Sequence, residues 1–545
     1  MIMPGRSVAS AVLLLALLHG LLLRPPQLPV ARAEIDDDDG EEIKEGSSIH
    51  FDVTPPVVPD GAEARREHFR ALHAKDMLRH VRIASMRNGS GGDGGGRHLL
   101  GSSKLPELMS DPNMFVELPM RSALNIAHVG MYLVSVRFGT PALPFNLVLD
   151  TANDLTWISC RLRRRKGKHY GRASPAAAAG QTMSVGEGGE PVKQEKKKWY
   201  RPALSSSWRR IRCSQSLCEK LSYTTCPDAL NTVSCSYRQK VQDGTLTIGI
   251  YGMEKATVAL SDGKMAKLPG LVLGCSLKEA GGSVDAHDGV LGLGNGIISF
   301  GVNAASRFGG RFSFCLLSTN SGRDASSYLT FGPNPAVMGP ETMETRIIYN
   351  KDVTVGMGFH VDAVTVDGKP LDIPPEVFDD TIRDAGVILD TGTSLTGLVP
   401  PAYDAVTAAL DSYLAHLPRV TDIAGFEFCY NWTFTGDGVD PANNVTVPRF
   451  ALELEGGAVL EVDAKSVVMP EVEPGVACLA FRKLTRGPSI IGNVLMQEHI
   501  WEFEHRVELM RFRKDKCVNH HIKGVSAANV HHIAPTPIPS PRFIN

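Results

Sequence analysis

Apolar and polar residues alternate over short runs through most of the chain beyond residue 131. Tyr132-Leu133-Val134-Ser135-Val136-Arg137-Phe138 alternates and meets Gly139-Thr140-Pro141, which predicts a strand closed by a turn. Phe145-Asn146-Leu147-Val148-Leu149 predicts a second strand that runs directly into Asp150. The texture returns after Tyr328, where Val361-Asp362-Ala363-Val364-Thr365-Val366 ends on the hairpin signal Asp367-Gly368. Helical periodicity is sparse, and Pro401 to Leu417 is its best example in this region. With 53 Gly and 35 Pro to supply turns, the pattern predicts a mostly-β protein.

The N-terminal part has a different texture. Arg6 precedes an apolar run, Ala11 to Leu23, followed by the small-x-small pattern Ala31-Arg32-Ala33. A run of thirteen residues is too short for a hydrocarbon core of about 30 Å, so residues 1–33 are expected to be a secretory signal peptide and no membrane span is expected. The product is expected to be secreted to the apoplast, or vacuolar. Residues 34–118 form a separate piece, opening with acids (Asp36 to Asp39, Glu41, Glu42) and ending in a Gly-rich linker around Gly89 to Gly96. Between them, Ala62 to Arg87 carries seven Arg/Lys against three acids with few helix breakers. That charge fits a solvated basic helix or a segment covering an acidic cleft. Residues 526–545 are a polar, Pro-rich tail, near which His520, His521, His531 and His532 read as solvated.

The chain's 57 Lys+Arg and 59 Asp+Glu leave a net charge of −2, which argues against a dedicated nucleic-acid binder. The basic residues are nevertheless uneven: Arg161 to Arg212 holds fifteen against three Glu. That insertion reads as a solvated loop or as a patch for an anionic polymer or surface. Ten cysteines behind a secretory signal allow five disulfides, and without CxxC pairs or HExxH a zinc site has little support. Leu291-Gly292-Leu293-Gly294-Asn295-Gly296 lacks the dinucleotide spacing and reads as core and turn; no metal or cofactor is expected. Asn88, Asn431 and Asn444 lie in sequons, and the last two are candidate glycosylation sites.

An internal repeat carries the chemistry. LVLDTANDLTW (Leu147 to Trp157) and VILDTGTSLTG (Val387 to Gly397) each run an apolar strand into Asp-Thr and a small residue. Each is followed far downstream by an apolar-apolar-Gly, Val290-Leu291-Gly292 and Ile490-Ile491-Gly492. A carboxylate at the end of a buried strand is costly unless hydrogen-bonded. Two copies related by duplication can meet at a lobe interface, and carboxylates within about 6 Å share one proton. One then activates a water while the other protonates a carbonyl, which is general acid–base peptide hydrolysis.

From about Met131 to Cys517 the chain resembles the pepsin-like aspartic proteases, closest to their plant nepenthesin/nucellin-like branch. The carriers are YLVSVRFGTPALPFNLVLDTANDLTWISC, DGVLGLGNG, RFSFCL, VILDTGTSLTGLVPPAYDAV, FEFCY, ACLAF and SIIGNVLMQEHIWEFE, in family order. The resemblance implies a bilobal fold of two pseudo-symmetric β lobes, 119–325 and 326–525, around a central cleft. It also implies an aspartic-type endopeptidase acting on polypeptides at acidic pH, a monomer needing no cofactor, with 34–118 as its inhibitory pro-segment. Asp150 and Asp390 would be the catalytic pair, Thr151 and Thr391 a reciprocal lock beneath them, and Thr393 a hydroxyl donor. Cys315–Cys517 and Cys429–Cys478 match family disulfides; the pairing of Cys160, Cys213, Cys218, Cys226, Cys235 and Cys275 stays open.

Three departures from the family pattern bear on activity. The first motif reads Asp-Thr-Ala-Asn, so Ala152 adds a methyl near the carboxylate, and Asn153 is expected to donate an amide N–H to Asp150. Alignment of the flap through Asp243 and Gly244 puts Val241 where the family has tyrosine, depriving Trp157 of its partner. Tyr237, four residues earlier on the same strand face, is about 13 Å away and is not expected to substitute. The basic insertion, finally, replaces the family's cysteine-rich loop. The alternative these departures favour is a weak or inactive pepsin-fold binding or inhibitor protein.

Overall fold

A computed structural model describes residues 130–162, 197–226, 233–240, 246–260, 265–280, 287–318, 327–349, 356–382, 385–423, 425–440 and 445–517, the strand Val116–Ser122, and six helical residues at 66, 69, 70, 73, 76 and 79. The signal-peptide reading, the acidic start, the Gly-rich linker, the insertion between 163 and 196, Val241, Asp243, Gly244, Asn88, Asn444 and the tail lie outside the described residues.

The alternation at Tyr132–Phe138 is a strand whose apolar side enters the core. It turns at Gly139, where φ is 94°, and pairs antiparallel with Leu143–Asp150. Leu147 and Leu149 are fully buried, so this second strand carries Asp150 inward on an apolar rail. A long hairpin, Leu246–Ala259 against Met265–Ala280, widens the first lobe. In the second lobe Val361–Val366 returns through Asp367 and Gly368, both at positive φ, to Lys369–Pro370, the two-residue hairpin its sequence predicts. The predicted helix runs Pro400–Leu414, its two prolines in the first turn where no intrahelical N–H is needed, and it buries Ala402, Val406, Leu410 and Leu414.

The two lobes share a sheet. Val116–Ser122 pairs with Ser327–Phe331 and Tyr132–Phe138, while Arg311–Cys315 of the first lobe pairs with His499–Glu504 of the second. Phe312 and Phe503 stack across that seam with centroids 5.0 Å apart, an apolar contact that ties the lobes together. The boundary read at 118/119 falls inside the strand Val116–Ser122. The ten cysteines form five disulfides, including Cys315–Cys517 and Cys429–Cys478. The pairs left open resolve as Cys160–Cys275, Cys213–Cys226 and Cys218–Cys235. Among the described residues no helix is long and apolar enough to cross a membrane.

Candidate active site

The internal repeat is a repeat of strand register. Gly289–Gly292 runs parallel to Leu147–Asp150 and pairs Gly292 with Asp150; Ser489–Gly492 runs parallel to Val387–Asp390 and pairs Gly492 with Asp390. Both glycines are required by space. A Cβ on Gly292 would lie 2.7 Å from the Asn153 carbonyl oxygen, and one on Gly492 would lie 2.4 Å from that of Ser394. The distant apolar-apolar-Gly segments are therefore the strands against which the two Asp-Thr turns are folded.

The turns lock to each other. Thr151 N–H donates to Thr391 Oγ1 and Thr391 N–H donates to Thr151 Oγ1, both at 3.1 Å. Each hydroxyl then donates across to the opposite strand, Thr151 to Leu389 O and Thr391 to Leu149 O, both at 3.0 Å. All four donors and acceptors are buried, so separating the lobes here would strand them without partners. The lock holds Asp150 and Asp390 side by side.

Their surroundings are unequal. Asp390 accepts from Gly392 N–H at 2.9 Å and from the Thr393 hydroxyl at 2.6 Å. Asp150 accepts from Ala152 N–H at 3.1 Å. Asn153 does not donate to Asp150 as expected from sequence: its Oδ1 accepts the Leu155 N–H at 3.0 Å, a local Asx turn that directs the side chain elsewhere. The hydroxyl present in the second turn thus has no counterpart in the first.

A guanidinium bridges both carboxylates. Arg79 Nη2 bonds Asp150 Oδ1 at 2.6 Å and Asp390 Oδ1 at 2.5 Å, while Nε bonds Asp390 Oδ2. Because one nitrogen reaches both Oδ1 atoms, those oxygens are no farther apart than the two bonds laid end to end, inside the roughly 6 Å needed to share a proton. Burial pushes the Asp390 carboxyl up, but the charge and hydrogen bonds of Arg79, helped by Thr393 and Gly392, hold it below the usual carboxylate value. Arg79 is buried too, and the two carboxylates raise its pKa well above the ordinary value despite desolvation.

Other described residues of the same segment touch the second lobe. Arg66 forks onto Glu473, with Nη2 to Oε2 at 2.8 Å. Phe69 meets Phe426 edge-on at 5.5 Å, within an apolar cluster of the second lobe. Asp76 accepts the N–H groups of Ser394 and Leu395 at 3.0 and 2.9 Å, and Arg482 Nη2 donates to the Asp76 carbonyl at 2.6 Å. The basic segment is therefore partly interior to the molecule rather than a solvated helix.

Asp154 and Arg482 are buried charged residues near the pair that the sequence did not single out. Asp154 lies four residues after Asp150 and accepts Gly296 N–H at 2.8 Å. Burial, against the opposing Gly296 hydrogen bond and with a small push from Asp150, raises its pKa to about 7. Arg482 follows the apolar run Ala477 to Phe481 and precedes Lys483 in the short strand Phe481–Lys483, so in sequence it looks like the start of a polar stretch. Near the flap, Trp157 packs edge-on to His287 with centroids 5.9 Å apart. The Tyr237 hydroxyl lies 3.4 Å from Thr247 Oγ1 and makes no hydrogen bond to Trp157 among the described residues. Asn431 is exposed, at the end of a short strand. Cys213, Cys218 and Cys226 have sulfurs within 4.8 Å of one another, but all are spent in disulfides.

Two family models match, described as xylanase inhibitor N-terminal over residues 132–333 and xylanase inhibitor C-terminal over 358–514. Protein ASPARTIC PROTEASE IN GUARD CELL 2 of Arabidopsis thaliana is 27% identical over 366 residues, covering 67% of this chain and 68% of that one. Aspartic proteinase nepenthesin-1 of Nepenthes gracilis is 25% identical over 391 residues, covering 71% and 78%. Among solved structures, basic 7S globulin from soybean superposes with a TM-score of 0.54 at 17% identity, over 74% of this chain and 98% of that one, a likeness of fold alone. Matched in both lobes by these models and over two thirds of its length by plant aspartic proteases, the chain belongs to the pepsin-like aspartic protease family.

Proposed function

We propose that the protein is the precursor of an aspartic-type endopeptidase, entering the secretory route and held inactive by its segment 34–118. The observation that carries this reading is the contact of Arg79 with both Asp150 and Asp390, since a guanidinium there occupies the space a catalytic water requires. Once Arg79 leaves, the carboxylates share one proton and titrate as a pair. Asp390 keeps two donors, Gly392 N–H and the Thr393 hydroxyl, while Asp150 keeps one, so the negative charge settles on Asp390. Asp390 then takes a proton from water as the water attacks the scissile carbonyl carbon, and Asp150 gives its proton to the carbonyl oxygen. The tetrahedral intermediate collapses as the C–N bond breaks: the amine takes the proton held by Asp390, and a hydroxyl of the intermediate returns a proton to Asp150 as the carboxyl group forms.

The test is incubation of purified precursor at pH 3 to 5 with a peptide library. Cleavage that disappears in Asp390→Asn supports the reading; no cleavage at any pH refutes it. A second reading rests on the first turn, where Ala152 and the diverted Asn153 leave Asp150 with a single protein donor from its own turn. It makes the chain a binding protein of the pepsin fold, and the xylanase-inhibitor description of its family models names the glycosidase class to try first. Tight binding of a glycosidase without peptide cleavage selects this alternative.

A further inference from the structure

Beside the catalytic pair, the second lobe builds a site that hydrolysis does not itself use. Arg482 is 2% exposed, yet among the described residues its Nε and Nη1 have no hydrogen-bond partner. A guanidinium is cationic at every accessible pH, so its burial with two idle donors is costly unless something serves it. The adjoining strand supplies two more donors, the N–H groups of Ser394 and Leu395, a few residues past Asp390. Both are occupied by Asp76, whose carboxylate takes the amides while its main-chain carbonyl takes Arg482 Nη2. The site thus reads a carboxylate together with a backbone carbonyl of the same residue. That pairing belongs to an acidic residue within a peptide and not to a free anion.

We infer that Arg482, Ser394 N–H and Leu395 N–H form a specificity pocket for an Asp or Glu side chain of the polypeptide substrate, which Asp76 fills until the helical segment leaves. The inference rests on the endopeptidase reading above. Asp76 precedes Arg79 by three residues, a helical rise of about 4.5 Å. An extended substrate advances about 3.3 Å per residue, so the acidic residue falls within about two residues of the cleaved bond. When Asp76 departs, the substrate carboxylate takes over the two amides and brings a counter-charge to Arg482.

The test uses full-length precursor, acid-treated below pH 4 until the segment has been cut off and then returned to pH 5, and one cleavable peptide with Asp or Asn placed in turn at the two residues on either side of the cut bond. At pH 5 an exposed aspartate is ionised. At one position the Asp peptide should show kcat/KM at least tenfold above its Asn partner, and the ratio should fall to within twofold of unity in Arg482→Met. Arg482→Lys, the milder change, should lower the ratio at least threefold. Equal rates for Asp and Asn peptides in the unmodified protein overturn the pocket, as does an undiminished ratio in either variant. If no peptide is cleaved, the endopeptidase reading fails on its own and the pocket is read by binding instead. The full chain carrying Phe69→Ala and Arg79→Ala is then titrated with the same labelled peptides by fluorescence anisotropy. Tenfold tighter binding of the Asp peptide supports the pocket, and equal binding overturns it.

Discussion

The guanidinium of Arg79 lies on the α-carbon of Gly392: a Cβ built there would stand 2.4 Å from Arg79 Cζ. The matching position of the first turn is Ala152, already occupied by a methyl and buried. Arg79 therefore fits against the second turn because that turn kept its glycine. Gly392→Ala should push the guanidinium off both carboxylates, leaving three buried charges poorly paired. The expected outcome is tryptic cleavage within Ala62 to Arg87 at pH 7 at least tenfold faster than in the unmodified protein, with Ala152→Gly causing no change. Equal rates for Gly392→Ala would show that Arg79 does not hold the segment in place.

Acid should release the segment, at a pH fixed by the same contact. The Asp390 carboxyl is held below its ordinary value of 3.8 in the folded precursor. A depressed acid contributes stability that is present above the unfolded pKa and lost as pH falls through the folded one. The pair with Arg79 should thus survive at pH 4 and dissociate at lower pH. Arg79→Gln removes the cation, so its release midpoint, followed by size or by onset of cleavage, should move up by about one pH unit or more. A midpoint unchanged by Arg79→Gln would exclude the pair as the controlling contact.

The repeat was legible because the two Asp-Thr turns and their distant glycines are a local signature copied twice. The strand at Tyr132–Phe138 and the helix Pro400–Leu414 were legible because each buries one side more than the other, which imposes a period on the sequence, and Val361–Val366 because the turn pair Asp367-Gly368 closes it. Asn153 was misread because composition shows that an amide is available, while the chain's local turn decides which partner takes it. The docking of 66 to 79 could not be chosen over a solvated helix from charge alone. Its complement is assembled from residues as remote as Glu473, Arg482 and the two aspartates. Arg482 and Asp154 went unnoticed for a related reason: each looks like an ordinary polar residue until the fold removes water from it.

Asp154 should make the protein an acid-stable one. Its pKa is raised to about 7, chiefly by burial, so between about pH 4 and 7 the folded chain holds a proton that the unfolded chain has released. Stability contributed by this group is full below the unfolded pKa and declines as pH rises towards 7. At about 1.36 kcal/mol for each pH unit that separates the unfolded value from the folded one, the loss is on the order of 4 kcal/mol. Asp154→Asn keeps an acceptor for Gly296 N–H and cannot ionise. Its melting temperature should fall less between pH 4 and 7.5 than that of the unmodified protein. Parallel curves would mean that Asp154 does not carry the dependence.

Val241 sets the last expectation, which concerns rate. The Trp157 indole lies against His287, and the nearest flap-strand tyrosine, Tyr237, directs its hydroxyl towards Thr247. Without a hydroxyl at 241, the flap forgoes a hydrogen bond worth about 0.5–1.5 kcal/mol, and closure over a substrate is correspondingly weaker. Hydrolysis depends on the two aspartates, so the consequence is a slow enzyme and not an inert one. Val241→Tyr should raise kcat/KM by about two- to tenfold, since about 1.4 kcal/mol is one decade of rate. Ala152→Gly with Asn153→Ser should add to this independently, because those residues act on the Asp150 carboxylate and not on the flap. A triple variant that still cuts no peptide, while the unmodified chain binds a glycosidase tightly, would move the protein from the enzymes of its family to the binders.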